Sequence, residues 1–151
     1  VAAAEKPVLF MDVDGALIPY GTEPRLGYQS ARLCGFNVII ADHVIAAAPK
    51  LAEIYEWVWA TTWEPDGVRQ IEAHLGLPRL AKLDTRNHSM KLPAIREYMT
   101  GQEDRPMVWV DDKLRRDPQL KANRRATTLC LRPHRDVGLT ERQIRRLLSA
   151  A

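Results

Sequence analysis

The 151-residue sequence has no apolar run long enough to cross a bilayer. A span needs about 18 uninterrupted apolar residues, and Val8-Leu9-Phe10-Met11 is cut short by Asp12 and Asp14. Neither a membrane span nor a leader or anchor is expected. Cysteine is equally scarce. Cys34 and Cys130 are far apart and belong to no C-x-x-C pair, which argues against a disulfide framework or a zinc knuckle and suits two free thiols in a reducing cytoplasm. There is no internal repeat, and no low-complexity segment beyond the first alanines. Collagen-like, coiled-coil and disordered chains are therefore poor descriptions.

What is present is the composition of a packed soluble protein, 46% apolar and 27% charged. One core fits this length comfortably and two do not, because independent cores usually need about 100 residues. Residues 1–151 therefore read as a single domain. The net charge of +3 is unevenly spread, with acids prevailing in the first half and Lys and Arg in the second. A basic half can face an anionic ligand or form the solvated outer face of helices, and interleaved arginines favour the second.

Val8–Val13 reads as a buried strand, a short apolar run that ends in polar residues and Gly15. The breakers Pro19, Gly21, Pro24 and Gly27 make residues 19–34 a loop. A short strand is expected at Val38–Ile40, a helix from Ala46 to Glu56 with Pro49 in its first turn, and a strand at Trp57–Thr61. Glu64-Pro65-Asp66 opens a helix that Gly76 stops after Leu75. Leu80–Leu83 reads as a strand, Leu92–Met99 as a helix and Met107–Val110 as a strand. Asp117-Pro118 opens a helix through Arg125, and Thr127–Leu131 is a strand. Thr140-Glu141-Arg142-Gln143 has the spacing of a capping box at the start of a final helix. Strands alternating with helices imply parallel neighbours joined by crossovers. The expected fold class is α/β, a parallel sheet with helices on both faces.

Ligands of such a sheet sit beyond the carboxyl ends of its strands. Directly after the apolar runs come Asp12 and Asp14, then Thr61 and Thr62, then Asp111 and Asp112, while Lys91 opens a helix. Carboxylates gathered that closely cannot all stay ionised without a counterion. A hard divalent cation such as Mg²⁺ resolves the repulsion with oxygen ligands alone, and no His or Cys cluster accompanies these acids. A bound phosphate would complete the metal's ligands, with Lys91 and Thr61 holding its other oxygens.

Phe10-Met11-Asp12-Val13-Asp14-Gly15-Ala16-Leu17 resembles the first motif of the haloacid dehalogenase-like (HAD) superfamily, apolar residues followed by Asp-x-Asp-Gly-x-Leu. Val58-Trp59-Ala60-Thr61 is similar to the second motif, Lys91 to the third, and Val108-Trp109-Val110-Asp111-Asp112 to the fourth, in the family's order. The resemblance implies a Rossmann-like three-layer sandwich and a phosphatase that works through an aspartyl-phosphate. Asp12 would be the nucleophile and Asp14 the general acid and base. Thr61 and Lys91 would bind phosphoryl oxygens. Mg²⁺ would be held by Asp12, the backbone carbonyl of Asp14, and Asp111, with Asp112 a ligand or an orienting neighbour. An acid at Asp14 is what the superfamily's phosphatases have and its dehalogenases lack.

Ala16 stands where the family commonly has Thr. Thr62 competes with Thr61, and Lys82 with Lys91; Thr61 follows its strand directly, and Lys91 opens a helix shortly before the fourth motif. Gly15, Thr62 and Trp63 are the candidate substrate-binding residues. Asp117 reads as a helix cap, and Trp57, Trp59 and Trp109 as core residues with polar tips near the sheet ends. Between Asp14 and Pro49 there is room for a loop and a small flap hairpin but not for a folded cap domain. The expected partner is a phosphorylated substrate, a small molecule or a macromolecule. A polynucleotide phosphatase or nucleic-acid repair component is the alternative suggested by the basic stretch Lys113, Arg115, Arg116, Lys121, Arg124 and Arg125. A non-catalytic binding module on the same fold is a further alternative. A bacterial receiver domain has its acid pair first and its Thr and Lys last, an order this chain does not follow.

Overall fold

Every residue of the first strand, β1 (Val8–Met11), is buried, as a central parallel strand covered on both faces requires. The computed structural model describes residues 5–85, 91–114 and 128–151. After β1 the chain runs through β2 (Tyr28–Leu33), β3 (Phe36–Ala41), α1 (Asp42–Ile54), β4 (Glu56–Trp59), α2 (Pro65–Leu75) and β5 (Ala81–Lys82). It continues through α3 (Lys91–Tyr98), β6 (Met107–Val110), β7 (Thr128–Leu131) and α4 (Glu141–Ala150). The main sheet has the order β5-β4-β1-β6-β7, and every pairing in it is parallel. This is a Rossmann-like α/β arrangement.

Alternation along β1 sorts the core into two layers. Leu9 and Met11 pack with Leu51 of α1, Ile71 of α2 and Leu147 of α4, whereas Val8 and Phe10 pack with Ile95 of α3 and Met99. Helices therefore lie on both faces, as expected from the sequence. Two local signals act as read. Pro65 begins α2 and Gly76 ends it in the left-handed conformation. Thr140 and Gln143 form the reciprocal capping box of α4.

Three expectations need correction. Residues 19–34 are not all loop, because Tyr28–Leu33 is a strand that pairs antiparallel with β3, and the expected strand at Val38–Ile40 belongs to this hairpin instead of the main sheet. Its two-residue turn, Cys34-Gly35, has positive φ at both positions, 51° and 78°, the twist that a tight hairpin needs. The Cys34 amide donates to Gln70 Oε1 at 2.7 Å, which docks the hairpin tip on α2. Next, α1 starts at Asp42, so Pro49 lies inside it and not in its first turn. Pro49 offers no N–H to the Ile45 carbonyl one turn back. Last, Trp57, Trp59 and Trp109 are core residues, but only Trp59 satisfies its ring N–H, donating to the buried Glu72 at 2.9 Å. The ring nitrogens of Trp57 and Trp109 are buried without a partner. The helix expected at 117–125, with Asp117 and all of the basic stretch beyond Lys113, lies outside the described residues.

Candidate active site

The register of the three middle strands decides which side chains meet. Met11 pairs with Trp59 on one side and Val110 on the other, so the chain leaves β1, β4 and β6 at one level. The ladder runs on for one more bond at each side: the Asp12 amide donates to the Val110 carbonyl at 3.0 Å and the Ala60 amide to the Met11 carbonyl at 2.8 Å. Asp12, Thr61, Asp111 and Asp112 thus emerge at the carboxyl edge, beside the central strand from which the chain proceeds first to one side and then to the other.

Lys91, the first residue of α3, sends its ammonium into this edge. Its Nζ donates to Asp12 Oδ1 at 2.9 Å and to Asp111 Oδ2 at 2.8 Å. The second oxygen of Asp111 accepts the Lys113 amide at 2.8 Å. Asp12, Asp111 and Asp112 are all buried, and each offers a carboxylate oxygen to a group whose members lie within 4.8 Å of one another. Burial pushes the Asp12 carboxyl up to about 7; the Lys91 charge opposes the shift and the Asp111 charge adds to it. Burial alone would lower the pKa of Lys91, but the charges of Asp12 and Asp111 outweigh it and raise it. Asp112 Oδ1 is buried with no hydrogen-bond partner. A buried carboxylate oxygen without a donor, beside two more carboxylates, fits a hard cation bound through oxygen.

Gly15 makes this proximity possible. It adopts φ +77°, and a Cβ built there would run into the Asp112 carboxylate. The tight turn is closed by the Gly15 amide donating to the Ile18 carbonyl at 2.8 Å. The Asp14 carboxylate is not one of the three clustered acids; its Oδ2 accepts the ring N–H of Trp63 at 3.1 Å. Only its backbone carbonyl was expected to face the metal. Thr61 is buried; its hydroxyl accepts the Trp63 amide at 3.2 Å and its carbonyl accepts Thr85 Oγ1 at 3.0 Å. Thr62 is exposed. Lys82, the competing lysine, directs its ammonium at the Leu83 carbonyl, 3.4 Å away.

Sequence reasoning missed a second set of residues at this edge. Arg132 follows β7 directly, and its Nε donates to the Asp112 carbonyl at 3.0 Å. Tyr20 lies on the loop after β1 and feels the charge of these acids. Burial raises the pKa of its hydroxyl, and the charges of Asp112, Asp14 and Asp12 add to the rise against the opposing Arg135. The missed signal was available: Arg132-Pro133-His134-Arg135 stands immediately after an apolar run, the position that had singled out the acids.

The family described as "HAD domain in Swiss Army Knife RNA repair proteins" matches residues 8–144, a span that holds all four motif segments. No curated protein and no solved structure matches the chain. No described helix is long and apolar enough to cross a membrane.

Proposed function

Because the chain belongs to the HAD domains of Swiss Army Knife RNA repair proteins, we propose that it is a Mg²⁺-dependent phosphatase, cleaving a phosphoric monoester through an aspartyl-phosphate on Asp12. The observation that carries this reading is the Lys91 ammonium held between Asp12 and Asp111, at 2.9 and 2.8 Å, with Asp112 in the same buried cluster. An Asp12 oxygen attacks phosphorus as the ester P–O bond breaks, and Asp14 supplies the proton to the leaving oxygen. Asp14 then takes a proton from water, whose oxygen attacks the phosphoryl group and returns Asp12 as a carboxylate with release of phosphate. Trp63 holds Asp14 for both transfers through its ring N–H. Lys91 and the Thr61 hydroxyl are the donors for phosphoryl oxygens, and Lys91 also lowers the cost of ionising Asp12. Asp12, Asp111, Asp112 and the Asp14 carbonyl would hold Mg²⁺. Its charge would favour ionised Asp12 and offset the charge of the phosphoryl oxygens.

The family description favours a second, narrower reading, in which the ester is the phosphorylated end of an RNA. The test is a panel of phosphorylated metabolites and of 3′- and 5′-phosphorylated oligonucleotides, assayed with Mg²⁺ and with EDTA. Release of phosphate that requires Mg²⁺ and disappears in Asp12→Asn is expected. Turnover insensitive to EDTA, or retained by Asp12→Asn, overturns the assignment.

A further inference from the structure

The edge that gathers the acids also carries two arginines, Arg132 and Arg135, that make no ion pair with them among the described residues. Arg132 is tied by its Nε to the backbone of Asp112, which leaves its two terminal nitrogens without an acceptor among the described residues. The Arg135 guanidinium lies over the ring of Tyr20, 4.5 Å from its centroid, and the Tyr20 amide donates to the Arg135 carbonyl at 2.9 Å. Neither arginine has a carboxylate partner among the described residues. A second pair anchors the same junction: Arg25 lies over the Tyr28 ring at 5.1 Å and donates to the Asp136 carbonyl at 2.6 Å, while the Tyr28 hydroxyl donates to the Val137 carbonyl at 2.8 Å. The loop after β1 and the turn after β7 are thereby fastened together.

Flexible surface arginines are ordinary, but these two are held at defined stations by backbone and ring contacts. They do not fold onto the acids beside them. The phosphatase reading assigns the oxygens of a monoester at Asp12 to Lys91, Thr61 and the metal site, so it has no use for either guanidinium. A diester phosphate one position along a strand offers its two non-bridging oxygens to the planar, forked guanidinium.

We propose that Arg132 and Arg135, with Tyr20 as the platform beneath Arg135, form a subsite for the phosphodiester that follows the scissile phosphate on a nucleic-acid strand. The proposal rests on the phosphatase reading above and narrows its substrate to a strand end in preference to a free monophosphate.

The test compares wild type with the double variant Arg132→Gln, Arg135→Gln and with the double Lys variant, after thermal melts establish that each is folded. Binding of a labelled, terminally phosphorylated oligonucleotide of about 10 nucleotides is followed by fluorescence anisotropy in EDTA, where no turnover occurs, over a range of salt. The Gln variant should bind about tenfold more weakly or worse. Its salt slope should be shallower by about 0.7 for each phosphate that the protein no longer neutralises. The Lys variant should keep the slope while losing part of the affinity. With Mg²⁺, kcat/KM on the oligonucleotide should fall about tenfold further than on p-nitrophenyl phosphate. Equal affinity and equal slope for wild type and Gln variant overturn the subsite. If the binding effects appear while neither ester is hydrolysed, the subsite stands and the phosphatase reading falls. If p-nitrophenyl phosphate is hydrolysed and the Gln variant affects both substrates alike, the subsite falls and the phosphatase reading stands.

Discussion

Asp12→Asn should stabilise the metal-free protein while removing its activity, and the size of the gain follows from the carboxyl's position. Folding moves Asp12 from an ordinary value of 3.8 up to about 7, chiefly because the charged form loses water on burial. A raised acid pKa means that the folded chain keeps a proton the unfolded chain has released. Stability therefore falls as pH rises from about 4 to about 7 and levels off above. At about 1.4 kcal/mol per pH unit the full excursion is roughly 4 kcal/mol, with the opposing attraction to Lys91 already included in the shift. Lys91 does not alter the window. Its pKa is raised, so its contribution is complete below about pH 10 and is lost only as pH climbs through its folded value.

Asparagine keeps the shape and an acceptor for Lys91 but carries no charge to desolvate. Because the amide nitrogen must find an acceptor where the acid had an oxygen, the expected net gain is less than the full excursion, about 1–3 kcal/mol at pH 8 in EDTA, or about 3–8 °C in melting temperature for a chain of this size. Melts from pH 5 to pH 8 should show the advantage of the variant growing with pH. Saturating Mg²⁺ should reverse the order, since a ligand at 100 times its Kd adds about 2.7 kcal/mol to the wild type, while the variant lacks a ligating carboxylate. A variant no more stable than wild type in EDTA at pH 8 would refute the argument that burial of this charge is costly.

Legibility in the sequence varied with how local the cause was. The strand β6 and the caps of α2 and α4 depend on short runs and fixed offsets, and their boundaries follow the sequence. The strand β2 does not announce itself, because within Tyr28–Leu33 only Leu33 is buried and the strand pairs only with its neighbour, so no alternation marks it. Gly27, one of the breakers that suggested a loop, directly precedes the hairpin. The start of α1 was hidden for a related reason: β3 runs straight into Asp42, and Ala41 at the N-cap makes no side-chain bond. At the site, the residues after β1, β4 and β6 could be named because a parallel sheet delivers them to one edge. Contacts made by long side chains from elsewhere, Lys91 to two acids and Trp63 to Asp14, leave no trace in spacing. The same holds for Arg132 and Arg135, whose partners are a backbone carbonyl and a ring far away in sequence.

Pro49→Ala should raise stability by about 1–3 kcal/mol, because the proline sits exposed inside α1 and withholds a hydrogen bond from Ile45. A denaturant titration showing no gain would mean that the helix accommodates the ring without loss. Gly15→Ala should cost about 1–3 kcal/mol in EDTA and should also blunt the rise in melting temperature with Mg²⁺. Its Cβ collides with the Asp112 carboxylate in a left-handed turn; a full metal response in a destabilised variant would show that Asp112 can shift without consequence. Lys91→Met removes the one cation that, among the described residues, contacts both Asp12 and Asp111, and leaves their buried charges facing each other. Loss of about 3–5 kcal/mol is expected in EDTA at pH 8. Much of it should return with Mg²⁺, whose charge replaces that of the ammonium, and at pH 5, where Asp12 takes up a proton instead. Activity should not return under either condition, because neither the ion nor the proton supplies the donor that Lys91 offers to a phosphoryl oxygen. A stability loss indifferent to both pH and Mg²⁺ would show that Lys91 serves packing and not charge balance.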